Sequence, residues 1–316
     1  MYTSKHKLSI VVPTKDRPQQ LRRMLESLRQ QTLLPHQVVV VASGSEESRG
    51  VGDEFPCLNI KYLHINRPSA SRQRNMGLTL VDSDATLVGY LDDDIVLEPD
   101  AIETMLSFWE IAPPDVGGAG FNLRNVLVSD TARKWNLWPI SWVYGKLMVR
   151  HKRRGKVLRS GFPTPIYPAQ ENTYVDWLES LGFVFRKHVA EEFRFDDFYE
   201  GYSYLEFLDY TYSISRKYRL CVVSNAWVTH YSSPIKQGYL LGKKQVLNRI
   251  HFVRKHPQLS LPQCWMALVS HLFFNIAVGL ALRDAGYLKR AWGNCAGLAL
   301  ASVGKMTPVA GGIKQT

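Results

Sequence analysis

Cysteine is scarce and scattered in this 316-residue chain: Cys57, Cys221, Cys264 and Cys295 form no CxxC pair. That spacing excludes the common structural zinc motifs and a dense disulfide framework, and it suits a reducing cytoplasm. The start of the chain, Met1 to Lys7, is polar and runs straight into an apolar stretch, so no secretory leader is expected there. Internal repeats and low-complexity tracts are lacking as well. Acid is missing between Arg133 and Arg159, where lysines and arginines alternate with Trp135, Trp138, Trp142 and Tyr144. Charge of either sign is missing from Cys264 to Leu282.

What is present is enough for a substantial core, with 45% apolar and 11% aromatic residues. The net charge of +11 signals attraction to phosphates of any kind. A nucleic-acid partner is not expected, because no basic recognition helix or stacking motif is found. The basic aromatic segment suits an anionic membrane surface, with tryptophans at headgroup depth and cations facing lipid phosphates. A solvated basic loop is the plainer alternative. The Cys264–Leu282 run is about as long as a bilayer span needs, roughly twenty residues, and a weaker run follows from Ala291 to Val303. A spanning hairpin would put Arg283, Lys289 and Arg290 outside, against the tendency of positive loops to stay in the cytoplasm. Helices lying on or dipping into the membrane are therefore expected, with packing onto the domain and true spanning as alternatives.

The first hundred residues alternate between apolar runs and helical patterns, as βαβ units of a mainly parallel sheet do. Strands are read at Leu8 to Val12, ending at Pro13, at Gln37 to Val41, at Ile60 to His64 and at Leu87 to Leu91. Leu21, Met24, Leu25 and Leu28 mark the buried face of one helix, and Ser69 to Leu80 forms another. Past Val116 the glycines at 117, 118 and 120 are read as loosening the backbone. A strand at Gly182 to Phe185, a helix at Ser203 to Lys217, and closing strands at Leu220 to Val223 and Trp227 to Thr229 follow.

In such sheets ligands gather at the carboxyl ends of the strands. Three polar turns sit there: Pro13-Thr14-Lys15-Asp16-Arg17, Ser43-Gly44-Ser45 and Asp92-Asp93-Asp94. Consecutive aspartates after a buried strand repel one another unless a cation offsets them. Mg²⁺ or Mn²⁺, completed by water and substrate phosphates, is the natural remedy. The competing explanation is a helix-start cluster ahead of Pro99 and Asp100.

These residues, with Leu8-Ser9-Ile10-Val11-Val12-Pro13-Thr14, Asp16-Arg17, Gln30-Gln31-Thr32, Arg74-Asn75-Met76-Gly77 and Leu91-Asp92-Asp93-Asp94, resemble glycosyltransferase family 2 over about residues 7–232. The resemblance implies an α/β GT-A fold, a central mainly parallel sheet flanked by helices, here with a helical apolar C-terminal extension. It implies a catalytic domain over residues 1–232, divided into a nucleotide-sugar half (1–115) and an acceptor half (116–232) holding the basic aromatic segment 133–159. Residues 233–316 would form a membrane-associated helical region.

By the same resemblance Pro13 and Thr14 line the base and ribose pocket, with Asp16 and Arg17 at its rim. Ser43 stands where the family usually has an aspartate. Arg74 steadies the diphosphate, Asp92 and Asp93 face the donor, and Asp94, Asp92 and His230 hold the metal. The acceptor-side base, usually within Glu-Asp-x-Asp, falls on Glu206-Phe207-Leu208-Asp209, where Phe207 replaces the second acid. The base is then Glu206 or Asp209; Ser203 to Glu206 also spells a capping box. His64, His151, His188, His251 and Asp196-Asp197 are read as structural or solvated.

The implied activity is inverting, metal-assisted transfer of a sugar from a nucleoside diphosphate to a hydroxyl of a lipid-linked or polysaccharide acceptor. The place expected is the inner face of the cell membrane. A nucleotidyltransferase-like enzyme and a noncatalytic nucleotide-sugar binder are the alternatives.

Overall fold

The computed structural model describes residues 4–125, 154–200, 204–231 and 238–308. Most of the basic aromatic segment 133–159 lies outside these residues, as does Ser203, the first residue of the capping box read above. The chain divides into two compact units. The first gathers Met1–Val126, Ile166–Asp197 and Glu206–Ser232; the second gathers Leu127–Pro165, Phe198–Leu205 and Ser233–Thr316.

The first unit is built on a nine-stranded sheet. Its parallel half comprises β1 (Leu8–Lys15), β2 (Gln37–Ser43), β3 (Ile60–Ile65) and β4 (Leu87–Leu91), in the order β3-β2-β1-β4. Residues 8–14 of β1, all of β2 and all of β4 are buried, which is why they read as unbroken apolar runs. The strand does not stop at Pro13: β1 continues to Lys15 and pairs Pro13 with Val41. Its pairing with β4 ends at Val11, so beyond that point one side of β1 carries no ladder and a proline costs little.

The other half is mixed. β8 (Gly182–Arg186) lies antiparallel to β4, and β6 (Val116–Leu123) lies antiparallel to β8. β9 (Arg219–His230) runs parallel to β6, and β5 (Ile95–Leu97) closes antiparallel to β9, which also pairs with β7 (Thr173–Val175). The two expected closing strands are thus one. The glycines after Val116 do not loosen the chain either, because they lie inside β6. A Cβ on Gly118 would come within 2.4 Å of the Phe185 ring, and one on Gly117 within 2.6 Å of Tyr218. Those neighbours fill the space the missing side chains leave.

Helices α1 (Pro18–Arg29), α2 (Ala70–Leu78), α3 (Ala101–Ile111), α4 (Lys187–Glu192) and α5 (Glu206–Ile214) belong to the same unit. α1 opens on a proline whose missing N–H would have had no helical partner, and it buries Leu21, Met24, Leu25 and Leu28. α2 is capped by Ser69 and lies directly on the sheet, since a Cβ on Gly77 would stand 2.3 Å from Val11.

In the second unit α6 (Tyr239–Lys255), α7 (Leu261–Ala281) and α8 (Ala285–Ser302) pack through glycine. A Cβ on Gly242 would fall 2.0 Å from the Arg290 carbonyl oxygen, and one on Gly293 2.0 Å from that of Tyr239, so α6 and α8 touch backbone to backbone. Asn275 donates to Asn294 at 2.8 Å and Asn294 to the Gly242 carbonyl at 2.9 Å, so both buried amide nitrogens are partnered. α7 is long and apolar enough to cross a membrane by length and composition. Met266, Phe273 and Leu280 on α7, at 66%, 63% and 65% exposure, and Trp292 on α8, at 72%, turn outward.

Candidate functional site

Four chain segments meet where β4 ends. The strand delivers Asp92, Asp93 and Asp94 in sequence. β5 follows at once and pairs Ile95 with His230, which sets the histidine beside Asp94. The β8 pairing of Gly182 with Leu91 brings the residues just before Gly182 to the same edge. α2 supplies Arg74: Gln73 next to it donates to the Thr14 and Val41 carbonyls, fixing the start of the helix over the carboxyl ends of β1 and β2.

The three aspartates have different surroundings. Asp93 is buried and turned inward, accepting from the Thr14 hydroxyl at 2.7 Å and from Arg17 Nη1 at 3.0 Å. Burial pushes its carboxyl up to about 6, with the Arg17 charge opposing. Asp94 accepts from Arg17 at 3.3 Å and lies 3.1 Å from His230 Nε2. Burial works to raise it, but His230 and Arg17 hold it below the usual carboxylate value. Asp92 accepts from Arg74 Nη2 at 2.7 Å and keeps a quarter of its side chain exposed. Burial raises it, Arg74 pulls it down and the neighbouring Asp94 charge pushes it up again. Burial would lower His230, yet the hydrogen bond and charge of Asp94, joined by the charges of Asp92 and Glu179, lift it above its ordinary value. Asn125 fixes the histidine's backbone, accepting from its N–H at 2.9 Å and donating to its carbonyl at 2.7 Å.

Arg74 is almost wholly buried and spans two acids, donating also from Nη1 to Glu206 at 3.1 Å. Glu206 is the first residue of α5 and is 4% exposed; its Oε2 has no hydrogen-bond partner. Burial lifts its carboxyl to about 7 against the Arg74 charge. Asp209, one turn on, is buried and engaged within the fold. Phe207 points its ring at Trp177, with centroids 6.2 Å apart.

The residues of the turns after β1 and β2 lie together beside this cluster. Asp16 adopts a positive φ of 53° and accepts from the Ser45 N–H at 2.6 Å. Gly44, at φ 87°, is required there, because a Cβ would fall 2.2 Å from Asp16 Oδ1. Ser43 is buried with its hydroxyl unpartnered, and Pro13 is buried within β1. The structure thus brings Thr14, Arg17, Asp93, Asp94 and His230 into one cluster and Arg74, Asp92 and Glu206 into an adjoining one, with Asp16 on the neighbouring turn.

Asp92, Asp94 and His230 offer two carboxylates and an imidazole, a donor set that suits Mn²⁺ or Mg²⁺ with water and phosphate oxygens completing the shell. The push of Asp94 on Asp92 is the repulsion a cation relieves. Among the described residues, the group whose ligand atoms all lie within 4.8 Å of one another is His36, Asp82 and Asp84, not Asp92, Asp94 and His230. It lies at the amino ends of β1 and β2, where Lys7 and Lys61 already pair with Asp84 and Asp82.

Two residues at this edge carry no motif and were not singled out from sequence: Asn125 and Glu179. Burial raises the Glu179 carboxyl and the His230 charge opposes it. An isolated acid between Leu178 and Ser180 gives no periodic or spacing signal.

Residues 9–167 match the profile of glycosyl transferase family 2. A glucosyl-dolichyl phosphate glucuronosyltransferase of Haloferax volcanii is 33% identical over 146 residues, 44% of this chain and 45% of that protein. An uncharacterized glycosyltransferase of Bacillus subtilis, YwdF, is 26% identical over 177 residues, 54% of this chain and 65% of that protein. The matched regions thus span less than two thirds of either relative. Among solved structures, the mannosyltransferase PcManGT from Pyrobaculum calidifontis, in complex with GDP-Man and Mn²⁺, superposes with a TM-score of 0.55 at 14% identity, covering 96% of this chain and 90% of that one. Residues 1–349 of S. aureus TarS give 0.52 at 14% identity, covering 94% and 92%. At such identities the likeness establishes the fold, the GT-A arrangement expected above. The profile reaches from β1 through the acidic turn and beyond β6, and on that match the chain belongs to glycosyltransferase family 2.

Proposed function

We propose that this chain is an inverting glycosyltransferase that moves a sugar from a nucleoside-diphosphate sugar to a hydroxyl of a lipid-linked or polysaccharide acceptor, assisted by Mn²⁺ or Mg²⁺. The observation that carries this reading is the meeting of Asp92 and Asp94 with Arg74, Arg17 and His230 at the carboxyl edge of the parallel strands. Pro13, Thr14, Asp16 and Ser43 form the nucleoside side of the pocket. Arg74, buried and bidentate in reach, orients the donor diphosphate. Asp92, Asp94 and His230 hold the metal, which when bound neutralises the leaving nucleoside diphosphate. Asp93 stays turned inward and fixes Arg17. The acceptor hydroxyl attacks the anomeric carbon in one displacement, and a carboxylate on the acceptor side takes its proton. Glu206 and Asp209 are the two that the family pattern offers.

In this reading residues 1–232 form the catalytic domain and residues 233–316 a helical region that rests peripherally on the inner face of the cell membrane. The outward Met266, Phe273, Leu280 and Trp292 support the membrane contact. So does the charge pattern: α6, α7 and α8 contain seven lysines and arginines and no carboxylate, which favours anionic headgroups. The Haloferax relative, a glucosyl-dolichyl phosphate glucuronosyltransferase by name, supports a lipid-linked acceptor. The GDP-Man and Mn²⁺ bound to PcManGT support a nucleotide-sugar donor and a divalent ion. A thermal-shift screen of nucleotide sugars with and without Mn²⁺ tests the donor. One nucleotide class should raise the melting temperature when Mn²⁺ is present, and no response to any of them would overturn the proposal.

A further inference from the structure

The acceptor side of the cluster holds a carboxylate that no motif marks. Glu206 is bound by Arg74 and nearly sealed from solvent. Asp209 is buried and engaged. The position between them that could present a third acid is Phe207, packed towards Trp177. Two residues beyond Trp177 stands Glu179, which is partly exposed. Among the described residues no hydrogen bond or ion pair reaches its carboxylate.

Its placement follows from strand pairing. Leu178 is pinned by its N–H to the Thr211 hydroxyl of α5 at 3.1 Å, and Gly182 is paired with Leu91, the residue before Asp92. Glu179 lies between these two anchors, on the edge where the acidic turn begins. Its charge and that of His230 act on each other, as do its charge and the Tyr167 hydroxyl. A carboxylate that is unpaired, reachable and close to the metal-binding candidates has the features a proton acceptor needs. A carboxylate already neutralised by a buried guanidinium does not.

We propose that Glu179, not Glu206 or Asp209, receives the proton of the acceptor hydroxyl, and that Glu206 serves as the buried anchor of Arg74. The inference rests on the glycosyl-transfer reading above. In the step, the acceptor oxygen forms a bond to the anomeric carbon and its proton passes to the Glu179 carboxylate. The bond from the anomeric carbon to the phosphate oxygen breaks, and its electron pair leaves with the nucleoside diphosphate.

The test uses the full chain with Mn²⁺ and a panel of UDP-, GDP- and dTDP-sugars, following nucleoside-diphosphate release with water as acceptor. For the best donor, Glu179→Gln should lower the release rate about 10²-fold or more. Its affinity for the nucleoside diphosphate with Mn²⁺, by calorimetry, should stay within about threefold of the wild type. Sodium azide, which needs no proton removed, should restore release by Glu179→Ala about tenfold and yield the glycosyl azide of inverted configuration. A Glu179→Gln rate within about threefold of the wild type overturns the proposal. So does a loss of rate matched by an equal loss of affinity, or an absence of azide rescue. A wild-type protein that releases no nucleoside diphosphate from any donor overturns the glycosyl-transfer reading, and the role of Glu179 with it. Loss of activity on Glu179→Gln in an otherwise active enzyme cannot come from that second cause.

Discussion

Arg74 and Glu206 stand 132 positions apart in the chain and share a 3.1 Å hydrogen bond, with the other guanidinium nitrogen 2.7 Å from Asp92. The three residues come from α2, the turn after β4 and the start of α5, so one buried cation ties together three segments distant in the chain. Removing the cation would leave Glu206 buried without its counter-charge. Arg74→Gln should therefore cost about 3–5 kcal/mol of stability, and adding Glu206→Gln should recover part of that. Urea unfolding of the two single variants and the double variant measures the coupling; strictly additive effects would refute it.

Asp94 lies within hydrogen-bond distance of both His230 and Arg17, at the centre of the candidate metal site. Asp94→Asn should weaken Mn²⁺ binding in the presence of a nucleoside diphosphate and lower kcat/KM about 10²-fold or more. His230→Ala should weaken Mn²⁺ binding less, because it removes one neutral ligand and no charge. Calorimetric titration with Mn²⁺ separates the two.

The buried carboxylates make stability depend on pH in a direction that can be worked out. Asp93 and Glu206 have ordinary values of 3.8 and 4.5 and are lifted by burial to about 6 and about 7. The folded state therefore binds more protons than the unfolded state across that window. Each group's contribution is fully present below its ordinary value and is lost as pH rises through its folded value. Asp93→Asn, which cannot ionise, should thus be relatively more stable against the wild type at about pH 8 than at about pH 5. Denaturant melts of both proteins at the two pH values check this; a difference independent of pH would contradict the burial of an ionising Asp93.

How much of this was readable beforehand differs between the two halves of the sheet. β1, β2 and β4 are buried apolar runs, and their boundaries fell within a few residues. Pro13 misled because its effect depends on where β4 stops alongside β1, which is a pairing property. The β6 glycines misled because Phe185, Tyr218 and Leu178 fill their spaces from elsewhere in the chain. The acidic turn, Arg74 and His230 were legible as motifs. That Asp93 faces inward to Thr14 and Arg17, and that Glu206 serves Arg74, follows from contacts 76 to 132 positions apart, which local spacing does not encode.

The close approach of α6 and α8 gives a stability prediction in the second unit. Gly293→Ala would place a methyl 2.0 Å from the Tyr239 carbonyl oxygen, so the helices must separate. The expected cost is about 1–3 kcal/mol, read as a lower thermal midpoint. At Gly304, where nothing lies within 4 Å, an alanine should cost only the backbone strain of its positive φ of 74°, about 1–2 kcal/mol.

The outward apolar residues of α7 and α8 predict a membrane contact that can be weighed. The protein should co-sediment with vesicles containing anionic lipid and less with neutral ones, and rising salt should weaken the binding. Phe273→Glu combined with Trp292→Glu should reduce binding about tenfold or more without unfolding the protein, since both side chains are already exposed. Unaltered sedimentation of the double variant would assign the contact to another surface.

The most direct measurement is the release of nucleoside diphosphate from a panel of nucleotide sugars by the purified chain, with Mn²⁺, with EDTA, and with the Asp94→Asn variant. Release of nucleoside diphosphate that depends on Mn²⁺, stops with EDTA and fails in Asp94→Asn is the expected result. Release of pyrophosphate instead, or turnover unchanged by EDTA, would contradict metal-assisted glycosyl transfer at the Asp92–Asp94 turn.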